Sequence, residues 1–398
     1  NVLPIASFYK SEVQINHLAE LVIDKSLPVR EELVKFLYSL LTEIGDRYDH
    51  HTRLLPYVLD LMTDENEGVA NSALATLQKC GREYESEHED EIKDRRQYGV
   101  DGDDRINLSK PLPRPFLERP RIGMRLYIRG TCKRFLNALV NELTNWVSTT
   151  RLKSANLLKM LVVLCEEHLT MEAHTLFPSF IKAQKFAYDD KDTVLYATLL
   201  ELYELLGRYI SPEVYIYYVL PRLRGDVDVV QFGVDTPTRV VVIEFLQALL
   251  TGSKSTLIVP FFDELVSTLT DPFVFPFDSP TLQSACIDIL HTILTSIKGK
   301  GHKVVEAHYV STGRLSTLHG TVRVAFRFLL VCMNNPALSH KAHAALVALA
   351  ELESDHGQGV DYLYKQHSAY LIKQSIENYE IDSTFSATTN TEHILLHR

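Results

Sequence analysis

A phrase of about forty residues keeps returning along this chain: a helix carrying an apolar-Pro step, an acidic turn, and a second amphipathic helix. Each such pair exposes an apolar face that only a neighbouring pair can cover, so a chain built this way folds as stacked helical pairs along one axis. The best copy reads Leu54, Leu55, Pro56, Tyr57, Val58, Leu59, Asp60, Leu61, Met62, Thr63, Asp64, then Val69, Ala73, Leu74 and Leu77 on the helix that follows. The apolar-Pro step recurs at Phe177-Pro178, Leu220-Pro221 and Val259-Pro260, and the last three prolines are separated by 43 and 39 residues. One repeat back from Pro178, the series Leu136, Leu139, Val140 and Leu143 predicts a first helix without its proline; one repeat back from Pro56, Ile15, Leu18, Leu21 and Val22 predict another.

The second helices follow in register. Val29, Leu33, Phe36, Leu37, Leu40, Leu41 and Ile44 recur at three- and four-residue steps and form one apolar stripe, as do Leu282, Ala285, Cys286, Ile289, Leu290, Ile293, Leu294 and Ile297. Thr236-Pro237 and Ser279-Pro280 place a hydroxyl at a helix cap and a residue without an amide proton at the first helical position. Tyr215 to Leu220 and Val240 to Ile243 have the composition of short strands, but both stand in repeat register and are read as helix. The predicted fold class is therefore all-α: an α-solenoid of the HEAT-repeat kind, a right-handed superhelix of antiparallel helix pairs, with about eight or nine units.

The 398 residues carry a formal charge of −10, which argues against nucleic acid as a partner because phosphate binding needs clustered cations. The five cysteines, Cys80, Cys132, Cys165, Cys286 and Cys332, form no CxxC pair and are expected to be buried thiols in a reducing compartment. No apolar run approaches the roughly 18 residues of a membrane span and no signal peptide is recognisable, so a cytoplasmic protein without a membrane partner is expected. The chain begins at Asn1, and a piece of a longer protein is expected.

Between Gly81 and Arg129 the rhythm breaks. An acidic half (Glu83, Glu85, Glu87, Glu89, Asp90, Glu91, Asp94) is followed by a turn-like Gly99 to Asp104 and then by a cationic stretch with Lys110, Arg114, Arg119, Arg121, Arg125 and Arg129. Pro111, Pro113, Pro115 and Pro120 forbid a helix through that stretch. Such an insertion docks along the repeats, binds a partner, or is disordered; docking is the expectation. The domain reading is repeats over 1–80, a docked charged and proline-rich insertion over 81–129, repeats over 130–380, and a polar, flexible tail over 381–398.

The segment from Gly81 to Asp94, the stretch Glu118-Arg119-Pro120-Arg121-Ile122-Gly123-Met124-Arg125, and Asn145-Trp146-Val147-Ser148-Thr149-Thr150-Arg151-Leu152-Lys153-Ser154-Ala155 together resemble the HEAT-repeat axonemal dynein assembly factors. The likeness is specific over about Asp46 to Ala183 and elsewhere rests on repeat pattern; proteins of this family are longer, and the match is to a C-terminal portion. The resemblance implies a non-enzymatic cytosolic factor for pre-assembly of the dynein arms of motile cilia, with axonemal dynein chains, other assembly factors or chaperones as partners. It supplies no established binding residues.

Chemical motifs are weak. Thr251 to Thr256 lacks the first glycine of a phosphate-binding loop and reads as an inter-repeat turn. Asp101-Gly102-Asp103-Asp104 hints at a calcium loop but meets Leu112 where the last ligand belongs. His340 with His343, Glu167 with His168, and Glu172 with His174 fall short of a zinc ligand set, and no nucleophile elbow occurs. No metal, cofactor, small-molecule substrate or catalytic residue is expected. The candidate contact residues are Arg119, Arg121 and Arg125, the densest cations of an acidic chain, with Trp146, Arg151 and Lys153. Packing between adjacent pairs is expected of Trp146, the alternative being an exposed contact of the kind used by tubulin-binding HEAT arrays. Arg151 and Lys153 either join such a contact or pair with aspartates of neighbouring turns. A tubulin-binding or importin-like adaptor remains the alternative function; the turns Thr63 to Glu67, Asp189 to Asp192 and Asp226 to Asp228 are acidic, which counts against the former.

Overall fold

The computed structural model describes residues 17–97, 106–107, 110–225, 235–275, 279–298, 302–353 and 359–381, and every regular element among them is helical. The chain divides into two compact units, Asn1–Ile210 and Ser211–Arg398.

Unit 1 holds α1 (His17–Val22), α2 (Leu27–Thr42), α3 (Arg47–Leu61), α4 (Glu67–Glu87), α5 (Glu89–Gln97), α6 (Ile122–Glu142), α7 (Ser148–Cys165), a 3-10 turn over Glu166–Glu172, α8 (Ala173–Asp189) and α9 (Thr193–Tyr209). Of the stripe read on α2, Leu33, Leu37, Leu40 and Leu41 are buried, joined by Val34, while Phe36 at its margin is exposed. The series predicted around Leu136 belongs to α6, which starts well before it, at Ile122. Pro56 and Pro178 lie inside α3 and α8, so the apolar-Pro step marks the body of a first helix and the acidic turn follows later.

Unit 2 holds α10 (Pro212–Arg224), α11 (Thr236–Gly252), α12 (Ser255–Ile258), a 3-10 turn over Val259–Phe261, α13 (Phe262–Leu269), α14 (Pro280–Lys298), α15 (His302–Ser311), α16 (Leu315–Met333), α17 (Ser339–Glu353) and α18 (Val360–Ile381). The strand-like stretches Tyr215–Leu220 and Val240–Ile243 are helical, within α10 and α11. At the head of α11 the cap is Asp235, one residue before the expected Thr236; its carboxylate accepts the amide of Thr238. Ser279 caps α14 as read, its Oγ accepting the Leu282 amide at 3.4 Å.

Helices of each unit stack as antiparallel pairs. Neighbouring second helices pack directly in α2 on α4, α7 on α9, α11 on α14 and α14 on α17. An arginine at the fourth position of three of them reaches the turn of the next pair. Arg30 of α2 donates to Asp64 at 2.7 Å, Arg151 of α7 to Asp190 at 2.8 Å, and Arg239 of α11 to the Phe273 carbonyl at 2.7 Å. The acidic turns are therefore partly consumed in tying one pair to the next.

All five cysteines are free and buried. Burial pushes the Cys80 thiol up to about 11 and that of Cys332 to about 12, so both stay protonated. One expectation needs correction. Helix α16 is, by length and composition, apolar enough to cross a membrane, with Arg323 and Arg327 its only charged residues. Half of that helix is buried within the fold. The candidate calcium loop Asp101–Asp104, the turn Asp226–Asp228 and the tail beyond Ile381 lie outside the described residues.

Candidate protein-binding surface

The site is built on unit 1, where α4 and α6 replace an ordinary repeat contact. Gly81 of α4 and Gly123 of α6 let the two backbones touch: a Cβ on Gly123 would stand 2.2 Å from the Gly81 carbonyl oxygen, and one on Gly81 would stand 2.6 Å from the Met124 amide nitrogen. Glu85 of α4 then accepts the Gly123 amide at 3.1 Å and pairs with Arg121 at 2.6 Å, placing a carboxylate over the N-terminus of α6 where the helix dipole favours it. A small apolar contact of Ile92, Ile122 and Leu126 with Tyr84 adds to it and fixes α5 beside α6.

Because α4 turns to α6, the space toward α7 is filled by the proline-rich stretch 110–121, which runs as a strap over the second helices. Lys110 pairs with Glu204 of α9 at 2.5 Å, the Pro111 carbonyl accepts from Arg208 at 3.2 Å, and Arg114 pairs with Glu67 at the head of α4. The prolines offer no amide to donate, and these anchors of the strap to the helices are side chains and a carbonyl.

Its main anchor is Glu166, fully buried at the end of α7. The residue sits at φ 49°, a backbone region costly for any residue but glycine, and in it the carboxylate turns inward. Arg119 grips both its oxygens at 2.8 Å, Arg125 donates at 2.6 Å and Arg129 at 3.1 Å. Arg129 also pairs with Glu167 at 2.9 Å, and Arg125 holds the Pro120 carbonyl at 2.9 Å. A buried carboxylate of this kind persists only with several charged donors, and removing it would strand their charges.

The six sequence candidates therefore separate. Arg119 and Arg125 do not form an exposed cationic patch; they are spent on Glu166, because three guanidinium groups are what one fully buried carboxylate needs. Arg151 is also interior, bound to Asp190 and facing Asp192 at 3.7 Å. Arg121 remains at the surface, its side chain 58% exposed beside Glu85. Lys153 is exposed, near Asp60. Trp146, expected in a packing role, is 90% exposed at the α6–α7 turn.

Two features escaped the sequence reading. Leu117, on the strap, is 99% exposed, and a groove of about 600 Å³ lies beside it, between the strap, the head of α4, and Asn156, Lys159 and Met160 of α7. Glu166 was also missed, although a signal existed: its arginines stand 37 to 47 residues away, about one repeat, as do Asp64 and Asp190 from theirs. Among the described residues no group of three or more His, Cys, Asp or Glu gathers as a metal site. What the surface offers is a strap held by ion pairs, with Leu117 bare on it and Trp146 bare on the same unit.

Comparison with known proteins agrees with this architecture. Residues 112–311 match the family profile described as dynein axonemal assembly factor 5, HEAT-repeat domain, and residues 2–95 match one described as dynein axonemal assembly factor 5-like, TPR repeats. The latter covers a stretch read above as HEAT repeats; both repeat kinds are stacked helix pairs. The chain is 29% identical over 213 residues to dynein axonemal assembly factor 5 of Xenopus laevis, covering 53% of this chain and 24% of that protein. It is 26% identical over 213 residues to the Homo sapiens protein, covering 53% and 23%, and 27% over 201 residues to the Drosophila melanogaster protein, covering 50% and 22%. The matches thus span about a quarter of the relatives' length. Crystal structures of the karyopherin Kap121p bound to Nup53p and to Pho4p align with TM-scores of 0.40 and 0.39 at 10% and 11% identity, over 95% and 96% of this chain and 40% and 42% of theirs. From the repeat pattern, the helix pairs and the profile over half its residues, the chain belongs to the dynein axonemal assembly factor 5 family.

Proposed function

We propose that this chain is a non-enzymatic scaffold for cytoplasmic pre-assembly of axonemal dynein arms, holding dynein chains and chaperone-linked partners over the strap and second-helix layer of unit 1. One observation carries the reading: the segment matched by the family's HEAT-repeat profile begins at the strap and carries Leu117 and Trp146, the two most exposed large apolar side chains described. Bare aromatic and aliphatic tips on rigid supports are what protein interfaces bury at their centres. Arg121 and Lys153 supply charge at the surface of the same unit, whereas Arg119, Arg125 and Arg151 act by holding the strap and turns in place.

A second reading, tubulin binding, draws on the exposure of Trp146 at an inter-helix turn. It also requires a row of basic side chains along consecutive turns, and the described turns present Asp64, Asp190 and Asp192 instead. One experiment separates the two. Recovery of axonemal dynein chains from ciliating cells, quantified by mass spectrometry, is expected to fall by about an order of magnitude with Trp146→Ala plus Leu117→Asp at unchanged melting temperature. Unchanged dynein recovery would remove the scaffold surface, and a selective loss of tubulin would favour the second reading.

A further inference from the structure

The helix α16 of unit 2 is apolar overall but amphipathic, so only one of its faces need be covered within the unit. On that face Leu318, Val322, Ala325, Phe326, Leu329 and Cys332 are buried within the unit. The opposite face, running through Thr317, Gly320, Val324 and Val331, lines a groove of about 670 Å³. Val266 of α13, Thr270 just past its end and Phe275 of the turn that follows also line it, as do Tyr370 and Leu371 of α18. Val324 in the groove is 46% exposed, a large aliphatic side chain left in water.

Two observations specify the occupant. The groove is walled by helices, with no strand edge, and its lining residues on α16 fall at helical three- and four-residue steps; such a surface accepts the ridge of another helix. Its charged rim is cationic in a chain of net charge −10: Arg323 and Arg327 stand one turn apart on α16. The Arg323 guanidinium lies 4.7 Å from the centre of the Tyr370 ring, with a buried Nε that has no hydrogen-bond partner. The one carboxylate in the lining, Asp263, is already engaged by Tyr309 at 2.9 Å, Thr321 at 2.6 Å and Arg314 at 3.0 Å.

We propose that this groove is a docking site for an amphipathic α-helix of a protein partner, its apolar face seated on α16 and its flanking carboxylates facing Arg323 and Arg327. The site is separate from the surface on unit 1 and does not depend on which client that surface holds. Gly320 supplies the close approach, since a Cβ there would meet nothing within 4 Å. For the same reason a larger residue at that position fills the groove without disturbing the fold.

The test uses two synthetic helices of about five turns with the same Leu/Ala face, one with a Glu-rich and one with a Lys-rich polar face, titrated by fluorescence anisotropy against the full chain. The acidic helix is expected to bind saturably and at least about tenfold tighter than its basic twin. Gly320→Trp and Arg323→Glu are each expected to weaken it by about tenfold or more while the circular-dichroism melt stays intact. A variant that does not fold is replaced by Val324→Glu, which introduces charge into the same groove from an already exposed position. Equal binding of both helices, or full binding by a folded Gly320→Trp chain, would overturn the proposal. So would Gly320-dependent binding to phosphatidylcholine vesicles with no affinity for either helix, which would make the face a lipid contact.

Discussion

Gly123 is the position where a single atom matters most. Its backbone amide is held by Glu85 and its missing Cβ is what allows the Gly81 carbonyl to lie against it. Gly123→Ala is expected to cost about 1–3 kcal/mol, since the added methyl would meet the Gly81 carbonyl, which is backbone and cannot yield, as well as the Glu85 side chain, which would have to leave its place over the Gly123 amide. Thermal denaturation against wild type checks this, and an unchanged melting temperature would show that α4 and α6 are not in such close contact. Glu244 of α11 shows the opposite behaviour, a group whose charge burdens the fold. Burial, with the like charge of Asp288 adding to it, lifts its carboxyl from 4.5 to about 7. Between those values the folded state binds more protons than the unfolded one, so stability from this group falls as pH rises and the loss is complete above about pH 7. Glu244→Gln is expected to melt within error of wild type near pH 4.5 and about 2–4 °C higher at pH 8; a constant difference across that range would contradict the assignment.

At the scale of elements, the strap owes its position to ion pairs more than to an apolar face. Residues 110–121 bury Pro115, Phe116 and Pro120 but form no apolar helix face, and Glu166 with Arg119, Arg125 and Arg129 supplies the polar anchor. Glu166→Gln keeps the shape and removes the charge that three guanidinium groups share. A loss of about 3–5 kcal/mol is expected, with hydrogen exchange rising first over 110–121 and the heads of α6 and α8. Exchange that rises uniformly instead would mean that the strap is not held as a separate element. This arrangement was half legible in sequence. The charge reversal along 81–129 and the proline density set that segment apart from the repeats, and Gly81, Glu85, Arg121 and Gly123 fall within the motifs that carried the family resemblance. Which cations stay outside could not be read, because Arg119 and Arg121 look alike in sequence, each pairs with a carboxylate, and they differ in how deeply that carboxylate lies within the fold.

At the scale of the molecule, stability is summed from contacts between neighbours, as expected of stacked repeats. The rungs Arg30–Asp64 and Arg151–Asp190 each bind one pair to the next and nothing farther away. Arg151→Ala should therefore raise amide exchange in α7 to α9 while leaving α14 to α17 unchanged, as hydrogen-exchange mass spectrometry can record. A uniform loss of protection would point to one cooperative core in place of a modular stack. The sequence by itself determined the helices, their pairing and the family, because hydrophobic period and repeat length are local properties that survive any packing arrangement. It also set the acidic turns and the capping of α14. Only the tertiary structure decided what each side chain does: Arg125 and Arg151 turned inward, Trp146 and Leu117 left in water, and Val324 of the apolar helix α16 half-exposed. Burial depends on what comes within a few ångströms from a repeat away, and no spacing along the chain carries that information.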